Sequence, residues 1–347
     1  MKKLLLFSSV FISATLLACG QNNEPFKTFT FASAVTSSVK TVEANTTNGR
    51  ITLNGDDGSV AVVEMYVSPN RSGIFQRNWS NEDIIQTLEE DYTIEIKVEG
   101  DKLIAFAKPK NSRSQQKLSI SFKISVPKQV NSNLQTSNAS IQISNLEGSH
   151  EFRTSNGSVT VENVAGMIAG TSSNGSITVT NCNDVIDLKS SNGRITTKDC
   201  NGKIVLKTSN GSLNLTNLNG HITANTSNGS VTSSNIIGEM KIGTSNGSIR
   251  LDNISGNVEA TTSNSSVNVA MESVSDFVVL STSNGSLNLS LPSDIGYNVK
   301  AKGNRVETSG LRNFSGRTDN KNLDGRIGDG GPTIDVRTSG RVNISFR

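Results

Sequence analysis

At 347 residues the chain has room for one elongated domain or two globular ones. Its 33 basic and 30 acidic residues leave a net charge of +3, with the two signs interspersed, which argues against nucleic acid or an anionic membrane surface as partner. Hydrophobic residues at 34% and aromatic residues at 5% are too few for a large globular core and suit a narrow solenoid whose layers each bury a few aliphatic side chains.

Lys2 and Lys3 precede the apolar stretch Leu4–Leu17, which is too short to span a bilayer and reads as an export signal. The stretch runs into Leu16-Leu17-Ala18-Cys19-Gly20, which resembles a bacterial lipobox. In that family of signals the chain is cleaved before the cysteine, whose thiol is acylated. An ordinary secretory signal with an incidental cysteine is the alternative, but the order of basic residues, apolar run, small residue and cysteine favours lipidation. Residues 1–18 are therefore expected to be a lipoprotein signal peptide, Cys19 the lipidation site and 19–38 a linker. Each buried CH₂ of an acyl chain contributes about 0.8 kcal/mol, so a multiply acylated cysteine anchors stably. Gly20, rather than Asp, after the cysteine favours the outer membrane in a cell that has one. No other segment is apolar enough to cross a membrane.

Residues 39–135 read as N-terminal coils with a cap. An early coil, Thr46-Thr47-Asn48-Gly49-Arg50-Ile51-Thr52-Leu53, is followed by a strand-like run, Val60–Val67, and a loop holding Pro69 and the only tryptophan, Trp79. Ser80-Asn81-Glu82-Asp83 then signals a helix start, with Ile84, Ile85 and Leu88 on one face. We expect this helix to cover the open end of the first coils, since an exposed sheet edge templates aggregation. Two strands follow, Tyr92–Val98 and Leu103–Lys108, and Leu118–Pro127 leads into the regular repeat.

Residues 136–291 carry that repeat. Asn138, Asn156, Asn174, Asn192, Asn210, Asn228, Asn246 and Asn264 recur every 18 residues, and Asn284 follows after 20. Counting from each Asn, aliphatic residues recur three positions on (Ile141, Val159, Ile177, Ile195, Leu213) and again two further on, where Thr197 and Ser233 break the column. A column eight positions on includes Leu146, Val164, Cys182 and Cys200, and two more lie at twelve and fourteen, Ile186 with Leu188 and Ile204 with Leu206 among them. The alternation gives two short strands per unit. The Asn-Gly pair is expected to supply positive φ at a tight corner, and a second corner falls near Asn145, Asn163, Asn181, Asp199, Asn217, Asn235 and Asn253. Antiparallel hairpins would not need one length and one phase throughout, whereas stacked parallel coils do. A left-handed hexapeptide helix would require aliphatics every six residues, and polar columns stand there instead. The expected fold class is all-β, a parallel β-helix of 18-residue coils, right-handed as parallel crossovers usually are. A lone coil buries too little to offset the ordering of its own backbone, so coils must come in arrays.

The spacing slips at Met271–Leu280, and 292–347 reads as irregular C-terminal coils and a cap. Gly325-Arg326-Ile327-Gly328-Asp329-Gly330-Gly331-Pro332 lacks the Gly-Lys-Ser/Thr of a phosphate loop and reads as a turn before a closing coil, Thr338–Ile344. With the Ser125-Val126-Pro127 lead-in and the Thr-Ser-Asn-Gly-Ser-Ile coils, these pieces resemble the bacterial β-strand-repeat family that carries an adhesin label, over roughly Val39–Arg347. The resemblance implies a β-solenoid of the cell envelope.

Candidate chemistry is sparse. His150 stands at an inward position and His221 at an outward one, without ligand-spaced partners. Cys182 and Cys200 lie one period apart in an inward column, where parallel Cβ vectors favour free buried thiols over a disulfide. Acidic residues do not recur in any column, as the calcium sites of glycan-cleaving β-helices would require, and Phe152 and Phe277 are the only aromatics between Thr136 and Leu289. A Ser-x-Thr column (Ser158/Thr160, Ser176/Thr178, Ser230/Thr232) invites an ice-binding reading, but Arg194 and Arg250 interrupt it. The sequence therefore points to a non-enzymatic, adhesin-like or scaffolding lipoprotein with no cofactor, metal or nucleic acid, whose partner is a protein or glycan of the envelope. The alternative is a glycan-binding or glycan-cleaving protein that uses the Trp79 loop or the C-terminal loops.

Overall fold

The computed structural model describes residues 29–35, 39–58, 60–70, 79–114 and 117–347. The leader 1–18, Cys19, most of the segment 19–38 and the loop between Asn70 and Trp79 lie outside the described residues. The fold is all-β and built of stacked parallel coils, with one α-helix, Asn81–Asp91, among the described residues. The chain falls into two compact units, Met1–Thr171 and Ser172–Arg347.

In the second unit the coils stack in strict register. Ile177 pairs with Ile195, Ile195 with Leu213, Leu213 with Val231, Val231 with Ile249 and Ile249 with Val267, all parallel and 18 apart. Hairpins are thereby excluded. Like stacks on like about 4.8 Å apart, and the aliphatic columns read from the sequence are the core: Ile186, Ile204, Leu188, Leu206 and Val258 are all 0% exposed. The slip of two residues is absorbed between Met271 and Val278, where Val258 comes to face Val278. Asn257 stitches the extra residues down, its Oδ1 accepting from the Asp276 N–H at 2.8 Å and its Nδ2 donating to Asp276 Oδ2 at 3.1 Å.

The repeating Thr-Ser-Asn-Gly corner has a different cause from the one expected. None of its Asn or Gly residues has positive φ; those values fall at the second corner, on Asn181, Asp199, Asn217, Asn235 and Asn253 (φ 53–57°). Glycine is needed at the first corner because a Cβ on Gly211 would lie 1.9 Å from the carbonyl oxygen of Gly193, one coil below, and one on Gly229 would lie 1.9 Å from that of Gly211. The buried threonine two residues before the Asn locks this close approach. Thr226 Oγ1 accepts from the Gly229 N–H at 3.2 Å and donates to the Gly211 carbonyl at 3.0 Å, and Thr244 repeats the pattern with Gly247 and Gly229.

In the first unit the same stacking joins Ile141 to Val159 and Ser132 to His150. Gly170 occupies an inward position because the Phe152 ring fills the space its Cβ would take, only 1.9 Å away. The early coil lies directly against the first regular one: Ile51 pairs with Ile141, and Asn138 Nδ2 donates to Asn48 Oδ1 at 2.7 Å across a sequence separation of 90. The other side of that coil is covered by later chain, Lys102–Pro109 and Leu118–Pro127, with Val42 facing Leu103 and Ile51 facing Phe122. The first coil is thus sandwiched rather than terminal.

Hydrogen bonding at this end runs out on antiparallel strands: Ala61–Pro69 against Leu118–Pro127, Phe29–Val35 against Ala61–Pro69, and Tyr92–Glu99 against Lys102–Pro109. A row of open backbone donors and acceptors is satisfied by strands, and the helix, expected to cover the open end, packs beside them and is tied to the cover by the Lys110 N–H donating to the Asp91 carbonyl at 2.7 Å. It begins with the expected capping box between Ser80 and Asp83, buries Ile84 and Leu88, and leads into Tyr92. The second unit repeats the sandwich. Its last coil slots in between earlier strands, Val342 pairing with both Leu287 and Val306, and Ile334 with both Val278 and Val299. The turn expected at Gly325–Pro332 joins Asn322–Ile327 to Thr333–Arg337 and carries positive φ at Gly328 and Gly330.

Candidate functional site

The outward columns are side-chain ladders. In the second unit each corner Asn donates through Nδ2 to the Oδ1 of the Asn one coil earlier, at 2.7–2.9 Å, from Asn192 on Asn174 through to Asn284 on Asn264. The second corner repeats the device, with Asn217 on Asp199 at 2.7 Å and Asn235 on Asn217 at 2.9 Å. These amides are exposed, and a side-chain amide has two N–H donors and two carbonyl lone pairs, more than one ladder bond in each direction uses.

A groove opens on the outward face of each unit among the described residues. That of the second unit, about 630 Å³, is floored by the stacked amides of Asn268, Asn288 and Asn343, bonded at 2.7 Å, beside Glu307 and the hydroxyls of Ser290 and Ser345. That of the first unit, about 600 Å³, lies where the sandwiched coil meets its antiparallel cover. Three elements build it. Tyr66 projects from Ala61–Pro69 and sits opposite Ser121 of Leu118–Pro127. Arg50 precedes the early-coil strand, its backbone N–H donating to Ser121 Oγ and its Nε to Ser140 Oγ, both at 3.0 Å. Lys123 pairs with Glu64 at 2.8 Å along the rim. Burial, then the Glu64 carboxylate hydrogen-bonded to it, raises the Tyr66 phenol above its usual range, with Lys123 opposing. The hydrogen bond and charge of Glu64 raise Lys123 in turn. The groove combines a half-buried aromatic ring, a guanidinium and a bed of hydroxyls.

The family model described as Toastrack DUF4097 matches residues 32–345. The chain belongs to the Toastrack family. No curated protein matches it. Among solved structures, a "putative cell adhesion protein" from Clostridium sporogenes aligns over 92% of this chain and 100% of that one, at 10% identity and a TM-score of 0.22, too low a score to support a statement about fold or function.

Within this Toastrack chain the residues singled out from sequence are dispersed. Cys19 lies outside the described residues. Cys182 and Cys200 are buried thiols, with Sγ 3.2 and 3.1 Å from the carbonyl oxygens of Thr180 and Lys198, and a hydrogen bond from the Cys182 side chain lowers the Cys200 pKa. His150 is fully buried, its Nδ1 2.9 Å from Ser132 Oγ, and burial lowers its pKa to about 4. His221 faces solvent with Nδ1 3.4 Å from Glu239. Trp79 is half-buried just ahead of the helix and is not among the residues that line the first unit's groove. Among the described residues no group of three or more His, Cys, Asp or Glu could hold a metal ion, and no helix is long and apolar enough to cross a membrane. Sequence reading missed Tyr66 and Arg50. The one available signal is phase: Met65 and Val67 point inward, so Tyr66 between them points out.

Proposed function

We propose that this Toastrack chain is a non-enzymatic interaction protein of the bacterial envelope, adhesin-like or scaffolding, tethered by a lipid on Cys19 and engaging a protein or glycan through the outward faces of its coils. The observation that carries this reading is the amide ladder. Each corner amide is fixed by the coil before it and keeps outward hydrogen-bonding capacity at a constant repeat of about 4.8 Å, so an extended partner meets donors and acceptors whose ordering cost is already met by folding. The leader, the lipobox and Gly20 support an exported, membrane-held location, the outer membrane in a cell that has one.

Two measurements test the proposal. Cys19→Ser should move the protein from the membrane fraction to the soluble fraction; retention in the membrane would mean that the anchor lies elsewhere. Incubation with a glycan panel should give at most binding, and a defined cleavage product would overturn the non-enzymatic reading. A glycan partner, as against a protein, is favoured by the aromatic and hydroxyl lining of the first unit's groove.

A further inference from the structure

We propose that the groove around Tyr66 and Arg50 binds an acidic saccharide, a chain bearing uronate carboxylates; the inference rests on the interaction reading above and names the ligand class for one of its surfaces. The groove is open, and its volume of about 600 Å³ lies within the range of small-ligand sites. Tyr66 offers a ring held half-buried by its strand neighbours, the amphipathic surface on which the C–H face of a pyranose stacks.

Charge selects the sugar. Arg50 is exposed, its Nε is tied to Ser140 Oγ, and no carboxylate pairs with it among the described residues. A guanidinium so oriented presents a planar fork that matches a carboxylate bidentately. The acid at the rim does not oppose this, because Glu64 is already matched by Lys123 at 2.8 Å. The hydroxyl bed is complementary as well. Ser121 Oγ accepts from the Arg50 N–H and so has its own O–H left to donate. Ser119 Oγ donates to the Asn48 carbonyl at 3.1 Å and so has lone pairs left to accept. Sugar hydroxyls, each both donor and acceptor, suit such a surface better than phosphate, which only accepts at full ionisation, and a single unpaired cation is too little for a polyphosphate backbone.

The test is calorimetric titration of the full mature chain with a galacturonate tetrasaccharide and with its carboxyl-reduced counterpart. The acidic form should bind at least about tenfold more tightly, as one charge-assisted contact implies. Arg50→Gln should erase that preference, Tyr66→Ala should weaken both ligands by about tenfold, and Tyr66→Phe should retain binding. Unfolding midpoints equal to wild type would show that the variants are folded. Absence of binding, equal affinity for the two ligands, or indifference to both Arg50→Gln and Tyr66→Ala would overturn the proposal. Capture of the same envelope partner by wild type and by the double variant would overturn it while leaving the broader interaction reading standing.

Discussion

Thr197 stands in an aliphatic column between Val179 and Leu215, fully buried, and its hydroxyl has no partner; Ser233 sits in the same column in the same condition. A buried unpaired hydroxyl costs about 1–3 kcal/mol relative to a paired one. Thr197→Val keeps the shape and removes the polar group, so it should stabilise the protein by about 1 kcal/mol in urea unfolding; a destabilised variant would mean the hydroxyl is satisfied. His150 is another buried polar anomaly, with Nε2 unpartnered. Its folded pKa of about 4 lies below the ordinary 6.5, so between these values the unfolded chain binds the extra proton. Stability is then full above about pH 6.5 and falls as pH drops toward 4, by on the order of 3 kcal/mol at most. His150→Leu should flatten that part of the pH profile, and a variant with an unchanged profile would exclude His150 as its source. Both anomalies were visible in the sequence as breaks in a hydrophobic column. The role of the corner glycines was not, because a clash with the coil below is a contact between residues 18 apart that looks the same in sequence as a demand for positive φ.

The element of this structure is the coil. Because the register between Ile195 and Val267 is uniform, removing one full period, Asn210–Ser227, rejoins columns in phase and should leave a cooperative unfolding transition. Removing half a period turns inward residues outward and should abolish it; equal tolerance of both deletions would be incompatible with stacking. The sandwiched coils are less forgiving. Arg341–Phe346 hydrogen-bonds on both sides, to Leu287–Leu291 and to Arg305–Ser309, so deleting 341–347 exposes two sheet edges at once. That truncation should lower soluble yield sharply and promote aggregation; a monodisperse product of normal stability would show that the last strand is dispensable. Phase made the coils legible, since each column repeats. It could not reveal the order of layers, because Asn48 is in phase with Asn138 whether or not other coils lie between them. The antiparallel cover carries no repeat at all, so Tyr66 went unrecognised.

At the scale of the whole molecule, the envelope reading joins a sequence signal at Cys19 to a surface made by folding. The proposed lipobox is a linear motif and is read without any structure. The ladders are also nearly linear, since one Asn per period implies a column. A binding surface is different: Arg50, Tyr66, Ser121 and Ser140 come from four separate segments brought together by an excursion of the chain, and nothing in their spacing announces it. The claim that the outward faces serve an envelope partner is tested most directly by photo-crosslinking the anchored protein in intact cells, with the reactive residue at the exposed coil-face position Thr232 or at Tyr66. The account predicts a discrete protein or glycan adduct from at least one of these positions, and adducts from neither would contradict it.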